Sequence, residues 1–409
     1  MLNTSRAELA ISEALIALMA VLFILSGGII YLELAPHLPM TLSIIVLVIF
    51  GMYKKIAVDD LQNGIINGAS SGLGAVYIFF FIGMLISSWM ASGTIPTLLY
   101  GGFQLFADVP LYFSIFLVCS VVGVCIGSAF TTSASIGVAF LGMAAAMDAS
   151  LAIAAGAIVS GAYLGDKMSP LSDTTNLASE TVGVPLFEHI KNMMWTTIPG
   201  FVIAGFLYYI LSPASEGKST ETLAFIQALQ ENTFINWTAL IPFAIVVVLA
   251  ILRVSTLLTL SAGIVSGVVL AFIADSSMTF TAMSDILFSG YVFVSNAEQL
   301  NAILSRGGIE SMMFSISLVL LALGMGGLLF TTGIIPAILK AIESSLKNLF
   351  SLTMATAFTA MGINFFVGEQ YLSILLTGKS LENQYKKLGY KKKNLARAME
   401  DTGTVVNPL

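Results

Sequence analysis

The chain has 409 residues, of which 57% are hydrophobic and 10% are charged, and its formal net charge is −6. Soluble domains carry about 25% charged residues, so this composition excludes a water-soluble globular protein and indicates an integral membrane protein. The mean hydropathy of +0.94 agrees with that class. Cys119 and Cys125 lie in one apolar run, and we expect small buried side chains there and not a disulfide framework.

The apolar runs are continuous and lack period-two alternation, which predicts an all-α polytopic membrane protein and not a barrel. Because about 20 residues cross a bilayer, we predict about 11 or more transmembrane segments. The predicted spans are 12–32, 40–53, 72–91, 110–127, 130–147, 150–165, 193–211, 236–252, 255–274, 311–331 and 349–366. Residues 366–377 and 398–409 are expected to be fragments of further helices.

The first apolar run, 11–32, is too long for a cleavable signal, so no leader is expected. The placement of Lys and Arg predicts a multi-pass protein of the cell membrane with a cytoplasmic N-terminus. Segments 33–39, 92–108 and 212–234 are acidic or nearly uncharged and are expected outside. Residues 378–397 hold seven Lys and Arg and are interpreted as a cytoplasmic loop that anchors the topology, with binding of anionic lipids as the alternative.

A short motif occurs twice in the chain. Residues 91–96 (ASGTIP) return as 331–336 (TTGIIP). The charge pattern places the first copy outside and the second inside, so the two halves are predicted to be inverted repeats. We expect a first repeat over 1–211, an external linker over 212–234 and a second repeat over 235–409.

The same spacing separates a glycine from an aspartate in each half. Asp166 follows Gly127 by 39 residues, and Asp401 follows Gly362 by 39 residues. Paired segments interrupted by Gly and Pro in inverted halves are typical of a secondary transporter site, and each glycine is predicted to open a break in its helix. The alternative is that these are coincidental helix-packing glycines.

Two polar segments interrupt the first half where hydrocarbon is expected. In 127–135, hydroxyl groups beside glycines favour a helix break that faces a cation, although such hydroxyls also bond back to their own helix. In 161–176, carboxylates that cost about 2.5–3.5 kcal/mol each at membrane depth indicate a function. Lys167 is interpreted as neutralising Asp166, which leaves Asp173 as a ligand. The cation-binding and proton-binding candidates here are Thr132, Ser133, Ser135, Asp166, Ser169, Asp173, Thr174 and Asn176.

The second half carries two corresponding polar segments. Asn364 and Glu369 occupy the counterpart of the hydroxyl-rich break. Farther along, Asp401 and Thr402 follow Glu400, which we expect to be exposed to water at the end of the basic segment. Asp401 therefore ranks above Glu400 as a ligand.

Carboxylate, hydroxyl and amide oxygens are hard ligands that suit Na⁺, which we place at Asp173 and Asp401. The two histidines, His37 and His189, lie near predicted loop ends, and His189 is interpreted as an interfacial residue. The sequence holds no Cys/His metal spacing, no phosphate loop and no catalytic triad, so we expect neither an enzyme nor an ATP-driven pump. No cofactor is expected beside the transported Na⁺ and H⁺, and no nucleic acid is expected as a partner.

A carboxylate in a low-dielectric site can hold either a cation or a proton, so alternating access to such a site predicts exchange of Na⁺ for H⁺. An organic anion would require an arginine or paired helix N-termini. No arginine lies in a predicted core segment, but possible helix N-termini at 131–135 and 171–176 leave this alternative open.

The run GDKMSPLSDTTNLA at 165–178 resembles the signature of the NhaC family of Na⁺/H⁺ antiporters. Residues 369–372 and 400–409 resemble the second-half motifs of that family. The resemblance implies inverted repeats with broken or re-entrant helices, a homodimer in the lipid bilayer, and cation sites near Asp166 and the two aspartates assigned to Na⁺.

The same family includes Na⁺-lactate/malate-proton antiporters, so the resemblance also implies an alternative in which small carboxylates are exchanged. Family members continue for one or two further spans past the motif at 400–409. We therefore expect the second repeat of this chain to be incomplete at its C-terminus.

Overall fold

The structure, a computed structural model, describes residues 9–106, 109–127, 129–170, 172–212, 227, 229–231, 233–252, 254–294, 301, 304–305, 307–343, 348–367 and 370–404. Over these residues the chain forms helices and no β-strand, which confirms the all-α prediction.

Nineteen α-helices are named here in chain order. They are α1 (Ile11–Ser26), α2 (His37–Tyr53), α3 (Val58–Ser71), α4 (Leu73–Ala91), α5 (Thr94–Phe106), α6 (Leu111–Ile126), α7 (Ala129–Thr132), α8 (Val138–Ala146), α9 (Leu151–Met168), α10 (Asp173–Val182), α11 (Leu186–Leu211), α12 (Ile241–Ile251), α13 (Thr256–Ala274), α14 (Phe280–Ser289), α15 (Ile309–Thr331), α16 (Ile334–Glu343), α17 (Leu349–Val367), α18 (Gln370–Lys387) and α19 (Lys392–Gly403). Residues Gly27–Tyr31 and Ser133–Gly137 are π-helical, and Trp237–Leu240 form a 3₁₀ turn.

Four helices of the described residues are long and apolar enough to cross a bilayer: α1 with its π-helical extension, α11, α13 and α15. The pair α4 and α5, bent by 75°, adds a fifth if it is counted as one span. Several spans present large apolar side chains on their surface, as Trp195 and Phe206 do on α11. Apolar surfaces of this kind are expected where a helix faces lipid, so the chain is a polytopic membrane protein.

The prediction of a loop over 378–397 is wrong, because α18 extends to Lys387 and α19 begins at Lys392. The basic residues hide a helical pattern in which Leu381 and Tyr385, four positions apart, are buried while the lysines lie on the outer face. Glu382 links the two helices, since its Oε1 atom lies 2.7 Å from Lys392 Nζ and 3.3 Å from Lys386 Nζ.

The helices pack into two compact units. Unit 1 consists of Met1–Val76, Leu177–Asn192 and Phe314–Leu409, and unit 2 consists of Tyr77–Asn176 and Met193–Met313. Each unit is assembled from separate stretches of the chain.

The core of unit 2 is built around large buried side chains. Trp89 of α4 is fully buried and donates from Nε1 to the carbonyl oxygen of Gly263, at 3.1 Å. Phe116 of α6 is also fully buried and lies against Phe201 and Tyr208 of α11.

In unit 1, α3 and α15 approach along a seam of glycines. A Cβ atom added at Gly68 would clash with the carbonyl oxygen of Leu323, and one added at Gly327 would clash with that of Gly64. Only glycine permits this backbone contact, which is a common packing mode of helices in membranes.

The repeated motif forms the same local turn in both places. After α4, Gly93 has φ 77° and its amide donates to Met90 O, at 3.2 Å. After α15, Gly333 has φ 83° and its amide donates to Phe330 O, at 3.0 Å. Glycine is required at both positions because other residues rarely adopt a positive φ. The two copies at 91–96 and 331–336 are therefore alike in structure as well as in sequence.

Candidate functional site

In unit 2, α9 ends at Met168 and α10 begins at Asp173. The helical conformation is therefore interrupted in the middle of the polar signature at 165–178. Ser169 is extended (φ −82°, ψ 131°), and Pro170 follows it. A helix cannot continue through such a conformation, and its last carbonyl groups lose their usual donors.

Short polar side chains supply donors at this break. Ser169 Oγ donates to Val124 O of α6 at 2.7 Å, and Thr175 Oγ1 donates to Lys167 O at 3.1 Å. Asn176 Nδ2 donates to two carbonyl oxygens, Ser172 O at 2.7 Å and Pro170 O at 3.1 Å. The hydroxyl and amide groups of the signature therefore hold the break in its shape.

Asp166 and Lys167 lie on the last turn of α9, and their exposed fractions are only 7% and 4%. Both charged side chains are therefore buried within unit 2. Neighbouring positions on a helix do not face each other, so the sequence interpretation that Lys167 neutralises Asp166 stays a prediction.

Glycines bring α9 against α6 at this level. A Cβ atom at Gly161 would lie 2.6 Å from Phe116 O, and one at Gly165 would clash with Ser120 O. On the facing helix, a Cβ atom at Gly123 would lie 2.9 Å from Ala162 O. The spacing of four residues between Gly161 and Gly165 is the sequence signal for this contact, and it places Asp166 directly beside the tightest point.

The prediction of a break at Gly127 is confirmed. Gly127 ends α6 in the left-handed region (φ 68°, ψ 32°) and is followed by the four-residue helix α7 and a π-helical turn. Thr132 is fully buried and Ser133 is partly buried in this segment. The side chains of Ser135 and Asp173 lie outside the described residues.

The prediction of a break at Gly362 is wrong, because α17 continues through it to Val367. Gly362 lies inside the helix with open space where a Cβ atom would stand. Glu369 lies outside the described residues.

In unit 1, α17, α18 and α19 form a three-helix group that holds a network of polar side chains. Asn364 Nδ2 donates to Gly403 O at 2.6 Å. Gln370 Nε2 donates to Thr404 Oγ1 at 2.6 Å, and Thr404 Oγ1 in turn donates to Glu400 Oε1 at 3.0 Å. This network, the Glu400 cluster, comprises Asn364, Gln370, Glu400, Gly403 and Thr404.

The expectation that Glu400 is exposed to water is wrong, because its side chain is fully buried. Asp401 and Thr402 are only partly buried, and Thr402 Oγ1 donates to Ala398 O at 2.6 Å. The sequence of α19 contains a helical pattern that predicts this burial. Ala396, Met399 and Gly403 are buried at spacings of three and four residues, and Glu400 lies on the same face of the helix.

His189 was interpreted as interfacial, and this is wrong, since the side chain is fully buried. Its Nε2 atom lies 3.9 Å from Glu400 Oε2. The first turns of α11 reach α19, because Asn192 Nδ2 donates to Lys393 O at 2.9 Å and Glu188 Oε1 lies 3.2 Å from Lys393 Nζ. Two buried titratable groups, His189 and Glu400, are thus brought together from segments more than 200 residues apart.

The expectation that no arginine lies in a core segment stays a prediction, but one arginine lies close to the Glu400 cluster. Arg397 lies on α19, one turn before Glu400, and is partly buried. It was assigned to the loop over 378–397, which the structure shows to be helical.

Comparison with known proteins identifies the family. Residues 161–409 match the model of the Na⁺/H⁺ antiporter family. The chain is 40% identical over 379 residues to the Na⁺/H⁺ antiporter NhaC of Alkalihalophilus pseudofirmus, covering 92% of this chain and 82% of that protein.

Two Bacillus subtilis proteins are also similar. One is the Na⁺/H⁺ antiporter NhaC, with 36% identity over 381 residues, 92% of this chain and 84% of the relative. The other is a malate-2H⁺/Na⁺-lactate antiporter, with 31% identity over 398 residues, 97% of this chain and 85% of the relative. This chain therefore belongs to the Na⁺/H⁺ antiporter family.

Proposed function

We propose that this chain exchanges Na⁺ for H⁺ across the cell membrane by alternating access. The observation that carries the proposal is Asp166, a carboxylate buried at the end of a helix that breaks within an apolar unit. The names of the two NhaC relatives support the same pair of ions.

The physical basis is that a buried carboxylate must be neutralised, since an uncompensated charge in a low-dielectric interior is costly. A proton and a Na⁺ ion each supply one positive charge and replace one another at the same group. If only neutralised forms change their access from one side to the other, downhill movement of one ion drives the other uphill. We assign this role to Asp166 together with Asp173, which begins α10.

The proposal includes the finer architecture expected from the sequence. We place about 11 or more spans in two inverted repeats, a cytoplasmic N-terminus and a homodimer. The matching turns at Gly93 and Gly333 support the repeats. Labelling of single introduced cysteines from either side of the membrane tests the orientation, and mass measurement in detergent tests the dimer.

The second candidate is coupled exchange of small carboxylates. It is favoured by the name of the malate-2H⁺/Na⁺-lactate relative and by Arg397, a cation on α19 that an organic anion would seek. The similarity to this relative is lower than to the two NhaC relatives, so we rank it second.

Reconstitution into proteoliposomes tests the proposal. An inward Na⁺ gradient should drive protons outward, read by a dye inside the vesicles, and replacement of Na⁺ by choline should stop the movement. Malate and lactate should leave the rate unchanged. Proton movement that requires malate or lactate would establish the second candidate, and no movement under either condition would reject both.

A further inference from the structure

The turn between α18 and α19 in unit 1 is rich in lysine. Residues 386–393 (KKLGYKKK) hold five lysines and no acidic residue. The Glu382 carboxylate approaches two of these lysines, one on each helix, and the Glu188 carboxylate approaches a third. Lys387 and Lys391 are exposed and form no ion pair with any residue that the structure describes. These two positive charges are therefore available to an anion from outside the chain.

The turn that separates the two lysines has a defined shape. Gly389 has φ 73°, and its amide donates to Lys386 O at 3.1 Å. The Tyr390 amide donates to Tyr385 O at 2.9 Å. This pair of hydrogen bonds around a glycine with positive φ is the Schellman ending of a helix. A Cβ atom at Gly389 would meet no atom within 4 Å, so the turn is open on that side.

Tyr390 connects the turn to the beginning of α17. Its hydroxyl oxygen accepts a hydrogen bond from the amide of Leu349, the first residue of that helix, at 3.0 Å. The next residue along α17 is Phe350, whose side chain is 75% exposed. The basic turn and a large exposed aromatic side chain therefore lie at the same end of α17.

Phe350 begins an exposed apolar stripe along α17. Phe350, Met354 and Phe358 follow one another at intervals of four residues and are 75%, 38% and 61% exposed. Residues four apart share one face of a helix. Leu352 and Thr356 lie on the opposite face and are fully buried. An exposed apolar face of this kind is expected where a helix meets the acyl chains of a bilayer.

A basic turn at the end of such a stripe combines the two features that recognise an anionic phospholipid. The ammonium groups of lysine bind phosphate as point charges, and basic residues beside a membrane surface attract anionic lipids. The stripe offers apolar contact to the acyl chains of the same molecule. A soluble phosphate compound would use the lysines alone.

A second copy of the chain fits this surface less well. About a two-fold axis, a second copy would present the same surface patch, including the same basic turn. Like charges would then approach one another, which disfavours the contact. Charge complementarity therefore favours a lipid as the occupant.

We propose that Lys387 and Lys391 bind the phosphate of an anionic phospholipid whose acyl chains lie along the stripe formed by Phe350, Met354 and Phe358. We call this surface the lipid site. It goes beyond the proposed exchange of ions, and its test does not depend on transport.

The first test measures the melting temperature of the purified full-length protein in a neutral detergent. Phosphatidylglycerol should raise the melting temperature by mass action, and phosphatidylcholine with the same acyl chains should raise it less. Glycerol phosphate, which carries the phosphate without acyl chains, should leave it unchanged. An equal rise with phosphatidylcholine or with glycerol phosphate would overturn the proposal.

Single lysine variants locate the charge. Lys387→Gln and Lys391→Gln should each weaken the binding of phosphatidylglycerol about fivefold. Lys55→Asn is the matched control, because Lys55 is exposed outside the turn and has φ 61°, where Asn is tolerated. Binding by this variant should equal that of the wild type. An equal loss in all three variants would show attraction by net charge alone and would reject the site.

A change in the stripe tests the contact with acyl chains. Phe350→Gln keeps both lysines and should lower the affinity for phosphatidylglycerol. Phe280→Gln is its control, since Phe280 is 85% exposed on α14 and lies outside the stripe. Equal affinities of Phe350→Gln and the wild type would contradict the lipid assignment.

Native mass spectrometry gives an independent count of bound lipid. After incubation with an equal mixture of phosphatidylglycerol and phosphatidylcholine, the wild type should retain phosphatidylglycerol in preference. The double variant Lys387→Gln/Lys391→Gln should lose that preference, and an unchanged preference would overturn the proposal. A dimer that dissociates in Phe350→Gln without loss of bound lipid would assign the stripe to a second copy and reject the lipid site.

Discussion

The polar groups of the α9–α10 break and those of the Glu400 cluster are similar in kind but are used differently. At the break in unit 2, Ser169, Thr175 and Asn176 donate to backbone carbonyl oxygens. In the Glu400 cluster of unit 1, Gln370 and Thr404 donate along a chain of side chains that ends on a carboxylate.

The difference separates two tasks of a polar residue inside a membrane protein. Groups that satisfy the backbone hold an irregular segment in place, and Asp166, the charged residue beside them, is the group to which we assign the exchange. Groups that donate hydrogen bonds to a carboxylate instead fix its orientation and stabilise its charged form. Polar composition alone does not distinguish these tasks, and the hydrogen-bond partners do.

The largest effect is expected at Asp166, because this carboxylate is buried in unit 2 and carries the proposed exchange. Asp166→Asn preserves the shape of the side chain and removes its charge, and it should abolish Na⁺-driven proton movement in proteoliposomes. Asp148→Asn is the matched control, since Asp148 is exposed in a turn with φ 51°, where Asn is tolerated. Wild-type exchange by Asp166→Asn would exclude Asp166 from coupling.

The second effect concerns the contact that supports the break. Gly165→Ala would place a methyl group against Ser120 O and 2.7 Å from Gly123 Cα, both backbone atoms that cannot rotate away. We expect a loss of about 1–3 kcal/mol in stability. Gly200→Ala on α11 meets open space and should be neutral or raise stability by up to about 1 kcal/mol. Thermal melts in detergent compare the two, and equal melting temperatures would contradict the close packing of α6 and α9.

A smaller effect is expected at the two glycines that were both predicted to break a helix, Gly127 and Gly362. Gly127→Ala forces a side chain into the left-handed region and should cost about 1–2 kcal/mol. Gly362→Ala lies inside α17 with free space and should be neutral or stabilising by up to about 1 kcal/mol. If both changes destabilise the protein equally, α17 also breaks at Gly362, and the two halves are more alike than the structure indicates.

The smallest effect is expected at Glu382, outside the candidate spans. The hydrogen bond from Lys392 has the largest effect and lowers the pKa of this carboxyl; burial opposes it, and the weaker effect of the hydrogen bond from Lys386 lowers the pKa further. Because the folded-state pKa lies below the unfolded one, the pair stabilises the protein above the ordinary pKa of about 4.3, and this contribution is lost as the pH falls through the folded value. Glu382→Gln should cost at most about 1 kcal/mol at neutral pH, since the pair is largely exposed.

Melts of Glu382→Gln and the wild type at several pH values measure the effect. The difference should shrink toward zero on acidification below the folded pKa. A difference that grows in acid would mean that another group is responsible.

The sequence alone was sufficient for the fold class and for the break at Gly127. Continuous apolar runs predicted helices, and Ser169 and Pro170 after Asp166 marked an interruption that the structure confirms between Met168 and Asp173. These features are local, and local sequence determines them.

The Glu400 cluster was missed for two reasons. The lysines of 378–397 suggested a loop, although Leu381 and Tyr385 already followed a helical period. The contact of His189 with Glu400 joins residues 211 positions apart in the chain, and such pairings depend on packing that one sequence does not display. Gly362 does not interrupt α17, because a glycine inside a helix destabilises it by only about 1 kcal/mol relative to alanine.

The glycine seam between α3 and α15 has a mechanical consequence. At Gly68 and Gly327 an added carbon atom would clash with a backbone carbonyl oxygen of the facing helix, so the two backbones touch at these points and no side chain can adjust between them. A lipid tail cannot enter a gap that excludes one methyl group, and separating the helices would expose backbone and not flexible side chains. Any motion of unit 1 that displaces α15 must carry α3 with it as one stiff element.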